Sequence, residues 1–264
     1  MMEWLPDNAE GWFDFLVLIS VPMCLFVFVS LFFFPAAYGR HNDGGKIWGP
    51  DINPRLGWFL MEVMSCVGFA VIYFMGDNAW QPMPLIFLLM WQFHYFHRTF
   101  IFPMTVKVRP GSSTPIGIPL MAIGTNGVIS FLNASALSWV TVSRGYDLSW
   151  LADPRFIIGA LIFASGYYVN KKADAMLAAL RKPGETGYKI PRGWLYEKIS
   201  CPNYFGEVLT WVGWSIAIWS VAGWVFVMLT LANLLPRAIS NHKWYHEKFA
   251  DYPKNRKIII PYIL

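Results

Sequence analysis

Long apolar runs separated by short polar stretches organise the chain. Residues 12–34, WFDFLVLISVPMCLFVFVSLFFF, would rise about 35 Å as a helix, enough to cross a hydrocarbon core of about 30 Å with slight tilt. Further runs cover roughly 57–75, 83–102, 116–142 and 154–169, and a last one extends from about 206 to 236. That last run would rise roughly 45 Å, too long for one upright span, so a break near WSVAGW (219–224) predicts two spans, 206–219 and 221–236. The pattern predicts an all-α membrane protein: a seven-transmembrane-helix bundle forming a single domain over residues 1–264. The polar segment 170–205 carries RKPGETGYKIPRG, whose Pro and Gly predict a loop, and 237–264 reads as a tail.

Charge gives the bundle an orientation. With seven spans and the N-terminus outside, 18 of the 21 Lys and Arg fall in inner segments; Arg144 and Arg155 fall outside and Arg98 lies in a span. Six spans would put the basic tail on the opposite side from the basic 170–205 loop, so seven with a cytoplasmic C-terminus fits better. The net charge of +5 is thus accounted for by topology, and no nucleic-acid partner is expected. A composition of 56% hydrophobic and only 14% charged residues agrees with a membrane class. The opening MMEWLPDNAEG holds acids and no Lys or Arg, so the first span is expected to be retained and not cleaved. Cys24, Cys66 and Cys201 show no CxxC pairing, which argues for packing and against a disulfide framework or a metal site.

Candidate chemistry gathers in the third span, in WQFHYFHRTF (91–100). His94, Tyr95, His97 and Arg98 share an arc of about 160°, while Leu89, Phe93, Phe96 and Phe100 fill the other side. A charge at span depth is costly, so such a face is expected to look into a bundle or a watery cavity. Glu62 is the sole acid of the second span, at comparable depth. Burial there favours a neutral carboxyl able to donate a hydrogen bond beside Tyr95; the rival reading is an ion pair with Arg98 or His94. On the inner side Arg109, Lys171, Lys172, Arg181, Arg237 and Arg256 could surround an anionic cofactor, although the positive-inside rule alone accounts for them. Neither GxGxxG nor GxxxxGK[ST] occurs, which removes the Rossmann and P-loop modes.

The segments WFLME (58–62), HYFHRTF (94–100), LRKPGETGYKIPRG (180–193), CPNYFGE (201–207) and YHEKFADYPKNRKIIIPYIL (245–264) stand in one order along nearly the whole chain. In them the chain resembles the steroid 5α-reductase family, the 3-oxo-5α-steroid 4-dehydrogenases. The resemblance implies a multi-pass membrane enzyme, of a bacterial inner membrane or an endoplasmic reticulum, that takes NADPH from the cytoplasmic side. It would reduce the Δ4 double bond of a 3-oxo-Δ4-steroid by hydride transfer to C5, as a monomer in the lipid bilayer. It carries the ketone-activating pair onto Glu62 and Tyr95. Cofactor contacts fall on Arg109, Asn170, Asp174, Arg181, Tyr188, Asn203, Glu207, Arg237, Tyr245 and Arg256, and Trp58 and Met61 are expected to wall the substrate. Two positions depart from the family: Met61 stands where a glutamine is usual, and the histidine-rich run before Tyr245 reads Ser240-Asn241-His242-Lys243-Trp244. Another sterol or isoprenoid enone as substrate, an S-adenosylmethionine-dependent membrane methyltransferase and a non-catalytic lipid carrier are the other readings.

Overall fold

The computed structural model describes residues 6, 8–33, 48–108, 111–139, 141–180 and 187–264. The chain is mostly helical. Helix α1 (Ala9–Phe33) buries a single stripe, Phe13, Ser20 and Cys24, against the rest of the bundle and leaves Leu25, Phe26 and Phe33 exposed. The chain then enters α2 (Pro54–Val63), started by Asn53, whose side-chain oxygen accepts from the Arg55 N–H at 2.8 Å, and by Pro54 in the first turn. A π-helical turn, Met64–Gly68, joins α2 to α3 (Phe69–Phe74). The next helix repeats the device: α4 (Pro82–Phe96) passes through a π-helical turn, His97–Ile101, into α5 (Phe102–Thr105). Helices α6 (Gly117–Ser138), α7 (Pro154–Ala179), α8 (Pro202–Ile218) and α9 (Val221–Lys248) complete the bundle. A two-residue antiparallel pairing of Asp51–Ile52 with Thr114–Pro115 ties the start of α2 to the start of α6, a small departure from the all-helical expectation.

Among the described residues, four helical stretches are long and apolar enough to cross a membrane: Ala9–Phe33, Pro54–Phe74, Gly117–Ser138 and Val221–Lys248. The break expected near 219–224 is present. Trp219 ends α8 in a left-handed conformation (φ 47°), and the Ser220 hydroxyl caps α9 at the Ala222 N–H. Two boundaries differ from expectation. Helix α7 runs ten residues past 169, because NKKADAMLAA consists of good helix formers and the Pro–Gly punctuation begins only at 183. Helix α9 likewise continues past 236 to Lys248, so the start of the expected loop, to Ala179, and the start of the expected tail, to Lys248, are helical.

Helices α7 and α8 pack through a glycine seam. A Cβ on Gly159 would collide with the Gly213 carbonyl at 2.6 Å, and one on Gly166 with the Gly206 carbonyl at 2.7 Å; the reverse substitutions meet the same backbones. With no side chains between them, the two backbones come into direct contact, which fixes the register of everything they carry. Beneath lies an aromatic centre shared by α3, α4, α8 and α9. Trp91 stacks on Phe69 at 4.3 Å and lies 5.2 Å from both Trp211 and Trp214. Each indole N–H has an acceptor: Trp91 the Ser65 carbonyl (2.7 Å), Trp214 the Asn133 side chain (2.9 Å), Trp211 Glu207 Oε1 (3.0 Å). Rigid rings with satisfied polar edges make a floor that holds its shape.

Candidate active site

The π-helical turn after α2 releases backbone carbonyls from their usual helical partners, and neighbouring side chains take them up. Asn126 donates to the Met61 carbonyl (2.6 Å), Thr99 to that of Glu62 (3.2 Å), Ser130 to that of Met64 (3.2 Å), Trp91 to that of Ser65 and Gln92 to that of Cys66 (2.9 Å). These five captures between Met61 and Cys66, from α4, its following turn and α6, pin the segment that carries Glu62. The carboxylate itself is 8% exposed and meets Arg98, which donates from Nε (2.9 Å) and Nη2 (2.7 Å), both to Oε1. The ion pair weighed against a free carboxyl is therefore formed, with Arg98 and not with His94.

The amphipathic reading of the 91–100 segment holds. His94 and Tyr95 are buried and Leu89, Phe93 and Phe96 exposed, while His97, Arg98 and Phe100 are half-buried, with Phe100 packed against the core. Tyr95 lies in the aromatic centre, stacked on Trp211 at 5.5 Å and 25° and 4.9 Å from Trp91. Trp58 packs edge-on against Phe102 (5.1 Å) with the Arg98 guanidinium 5.4 Å from its ring, and it joins Trp48, Met61 and Ile118 in a separate apolar cluster beside Glu62. Trp58 and Met61, expected to wall a substrate, thus share one apolar cluster, with Trp58 against the Arg98 guanidinium that holds Glu62.

The glycine seam brings a second polar group to the same depth. Asn170 on α7 donates to the Asn203 carbonyl (3.0 Å) and to Glu207 Oε2 (2.9 Å), and Asn203 donates to Asp174 Oδ1 (3.0 Å). Four of the expected cofactor residues therefore form one network across α7 and α8. His94 connects it to α4: its Nε2 lies 3.2 Å from Glu207 Oε1, within ion-pair distance but outside hydrogen-bonding geometry. The sequence did not reveal this His94–Glu207 contact. Nor did it reveal the seam, although glycines seven apart in both 159–166 and 206–213 were its trace.

The remaining residues lie nearer the chain's C-terminal end. Tyr245 stacks on Tyr252 at 5.1 Å and 11°, Tyr188 packs on Trp244 (4.6 Å), and Arg237 lies 6.0 Å over the ring of Tyr204. Arg256 is 2% exposed; its Nε, Nη1 and Nη2 have no hydrogen-bond partner, with Glu197 3.8 Å away and the Tyr252 ring 5.0 Å away. Arg109 and Arg181 lie outside the described residues. Two further features were not foreseen. Ser200 Oγ hydrogen-bonds His242 Nδ1 (2.6 Å) and Tyr252 OH (2.7 Å), fastening the C-terminal segment to the stretch before α8. Tyr196 donates to the Ala173 carbonyl (3.2 Å), and burial pushes its hydroxyl well above the ordinary phenol range.

Residues 116–264 match the family described as 3-oxo-5-alpha-steroid 4-dehydrogenase. Over 255 residues, 95% of this chain and 97% of the relative, the chain is 41% identical to the steroid 5-alpha-reductase DET2 of Gossypium hirsutum. It is 38% identical over 258 residues to 3-oxo-5-alpha-steroid 4-dehydrogenase 1 of Bos taurus, covering 95% of this chain and 96% of that one. Against 3-oxo-5-alpha-steroid 4-dehydrogenase 2 of Mus musculus it is 36% identical over 236 residues, 87% and 88% of the two chains. With the resemblance extending over nearly the full length of these relatives, the chain belongs to the 3-oxo-5-alpha-steroid 4-dehydrogenase family, the steroid 5α-reductases.

Proposed function

We propose that the chain is an NADPH-dependent oxidoreductase that reduces the Δ4 double bond of a 3-oxo-Δ4-steroid to the 5α-dihydro product. The observation that carries this reading is the burial of both Glu62 and Tyr95, on two segments joined by the Arg98–Glu62 and Trp91–Ser65 contacts, in a member of this family. Tyr95 and Glu62 are the donors to the C3 ketone oxygen. Arg98 occupies only Oε1 of Glu62; for Glu62 to donate to the ketone, Oε2 must take up a proton when substrate binds, with Oε1 still accepting from Arg98. Drawing electron density toward C3 leaves C5 electron-poor, and the same donors stabilise the enolate that forms when C5 accepts hydride. C4 then takes a proton from water. When bound, NADPH supplies the hydride.

The residues suit such a cofactor. The unpartnered guanidinium of Arg256 matches a phosphate, and the free Asn170 Oδ1 matches an amide or hydroxyl donor. Asn170, Asp174, Asn203 and Glu207 would hold its inner part, and Tyr188, Arg237, Tyr245 and Arg256, with Arg109 and Arg181, its outer part. Trp58 and Met61 would bound a slot for the flat steroid. The helices, taken as seven spans in a single domain, would leave the N-terminus outside and the cofactor end in the cytoplasm, as the distribution of Lys and Arg supports. The enzyme would act as a monomer in a bacterial inner membrane or an endoplasmic reticulum.

The test mixes purified protein, NADPH and a Δ4-3-ketosteroid, follows loss of the reduced nicotinamide's absorbance and identifies the product by mass and retention. A 5α-dihydro product formed in step with NADPH oxidation is expected. Methyl transfer from S-adenosylmethionine, or steroid binding without turnover, would sink the proposal.

A further inference from the structure

Lys171 follows Asn170 on α7, and its ammonium nitrogen is shut off from solvent with no hydrogen-bond partner. The carboxylates around it already have donors. Asp174, one turn along, accepts from Asn203; Glu207 accepts from Asn170 and Trp211; Glu62 accepts from Arg98. What Lys171 has is the Tyr167 ring, 5.2 Å away. Its neighbour Lys172 contrasts with it, reaching the Tyr168 hydroxyl (3.2 Å) and the Trp194 ring (4.5 Å). The helix therefore offers an outward position for a lysine one residue later, and Lys171 is turned inward.

Across from it on α4 and the turn that follows are His94 and His97, whose rings lie 5.9 and 6.5 Å from that of Tyr167, the ring against which the ammonium sits. His97 Nδ1 also has no partner. A cation removed from water without an acceptor is strongly unfavourable unless something else supplies one. The space between α4 and α7 is edged by a spare ammonium and imidazole nitrogens, while each nearby carboxylate already has a donor.

We propose that Lys171 receives an anionic oxygen of the ligand bound between α4 and α7. This rests on the reductase reading of the same site, and it adds a contact outside the residues that the family resemblance supplies. Such an oxygen belongs either to a phosphate of the dinucleotide or to a carboxylate on the steroid's side chain.

The test uses the full chain in nanodiscs, as wild type, Lys171→Met, which keeps the apolar stem, and Lys171→Arg, which keeps the charge. Calorimetric titration with NADP+ reads the phosphate source. Relative KM values for a Δ4-3-ketosteroid bearing a side-chain carboxylate and for its methyl ester read the carboxylate source. Lys171→Met is expected to weaken one of the two, NADP+ binding or the preference for the acid, by about ten-fold or more, with kcat less affected and Lys171→Arg closer to wild type. If circular dichroism shows Lys171→Met unfolded, Lys171→Gln takes its place in the same comparison. A folded variant that keeps both quantities within about two-fold of wild type overturns the assignment while leaving the reductase reading intact. A wild type that neither binds NADP+ nor reduces the enone overturns both.

Discussion

Arg98 grips Glu62 by one oxygen only: Nε and Nη2 both donate to Oε1, at 2.9 and 2.7 Å, in place of the parallel fork that would occupy both carboxylate oxygens. The guanidinium thus anchors the side chain to the turn after α4 through Oε1 and does not engage Oε2. In the proposed mechanism, structural and chemical roles divide between two atoms of one carboxylate.

That division separates stability from activity. Removing the cation strands a buried carboxylate, so Arg98→Met should destabilise the protein by about 3–5 kcal/mol. Adding Glu62→Gln to Arg98→Met should recover much of that loss and none of the turnover. Thermal unfolding in detergent beside the NADPH-oxidation assay reads both halves. A double variant as unstable as Arg98→Met would show that the pair is not the cause.

Tyr95→Phe keeps the ring on Trp211 and removes one hydroxyl. If that hydroxyl holds the developing enolate, kcat should fall about 10²–10³-fold, with the unfolding midpoint near wild type. The loss belongs in kcat and not in the KM for NADPH. Normal turnover would remove Tyr95 from the chemistry.

Legibility in the sequence followed the range of the interaction. The polar face of 91–100 was readable because helical periodicity alone sorts His94 and Tyr95 from Phe93 and Phe96. The break at Trp219 was readable because the apolar run was too long for one upright span. The extent of α7 was not, since its last turns leave the apolar run and only helix propensity marks them. Pairings between helices were least accessible: nothing in one helix says that His94 faces Glu207 or that Gly166 rests on Gly206. Those depend on the α7–α8 register, which only close backbone packing fixes.

That register makes a sharp mutational target. A Cβ on Gly206 would collide with the backbone nitrogen of Asn170 and the carbonyl of Gly166, neither of which can swing away. Gly206→Ala should cost about 1–3 kcal/mol of stability and pull Asn170 away from Glu207. Weaker NADP+ binding in calorimetry should accompany the lower unfolding midpoint. Full affinity in this variant would mean that the Asn170–Glu207 contact is irrelevant to the cofactor.

Arg256 presents the opposite balance. Its three guanidinium nitrogens are buried without hydrogen bonds, Glu197 is 3.8 Å away, and stacking near Tyr252 at 5.0 Å supplies only about 0.5–2 kcal/mol. In the ligand-free protein, desolvation of the cation opposes these contacts, so Arg256→Met should leave stability nearly unchanged or slightly raised. If the guanidinium is held for a phosphate, the same substitution should weaken NADP+ binding by about ten-fold or more. Saturating NADP+ should then raise the unfolding midpoint of the wild type more than that of the variant, because a ligand that binds only the folded state stabilises it in proportion to the logarithm of its affinity. Equal shifts in the two proteins would assign Arg256 to the anchoring of the C-terminal segment and take it out of the cofactor site.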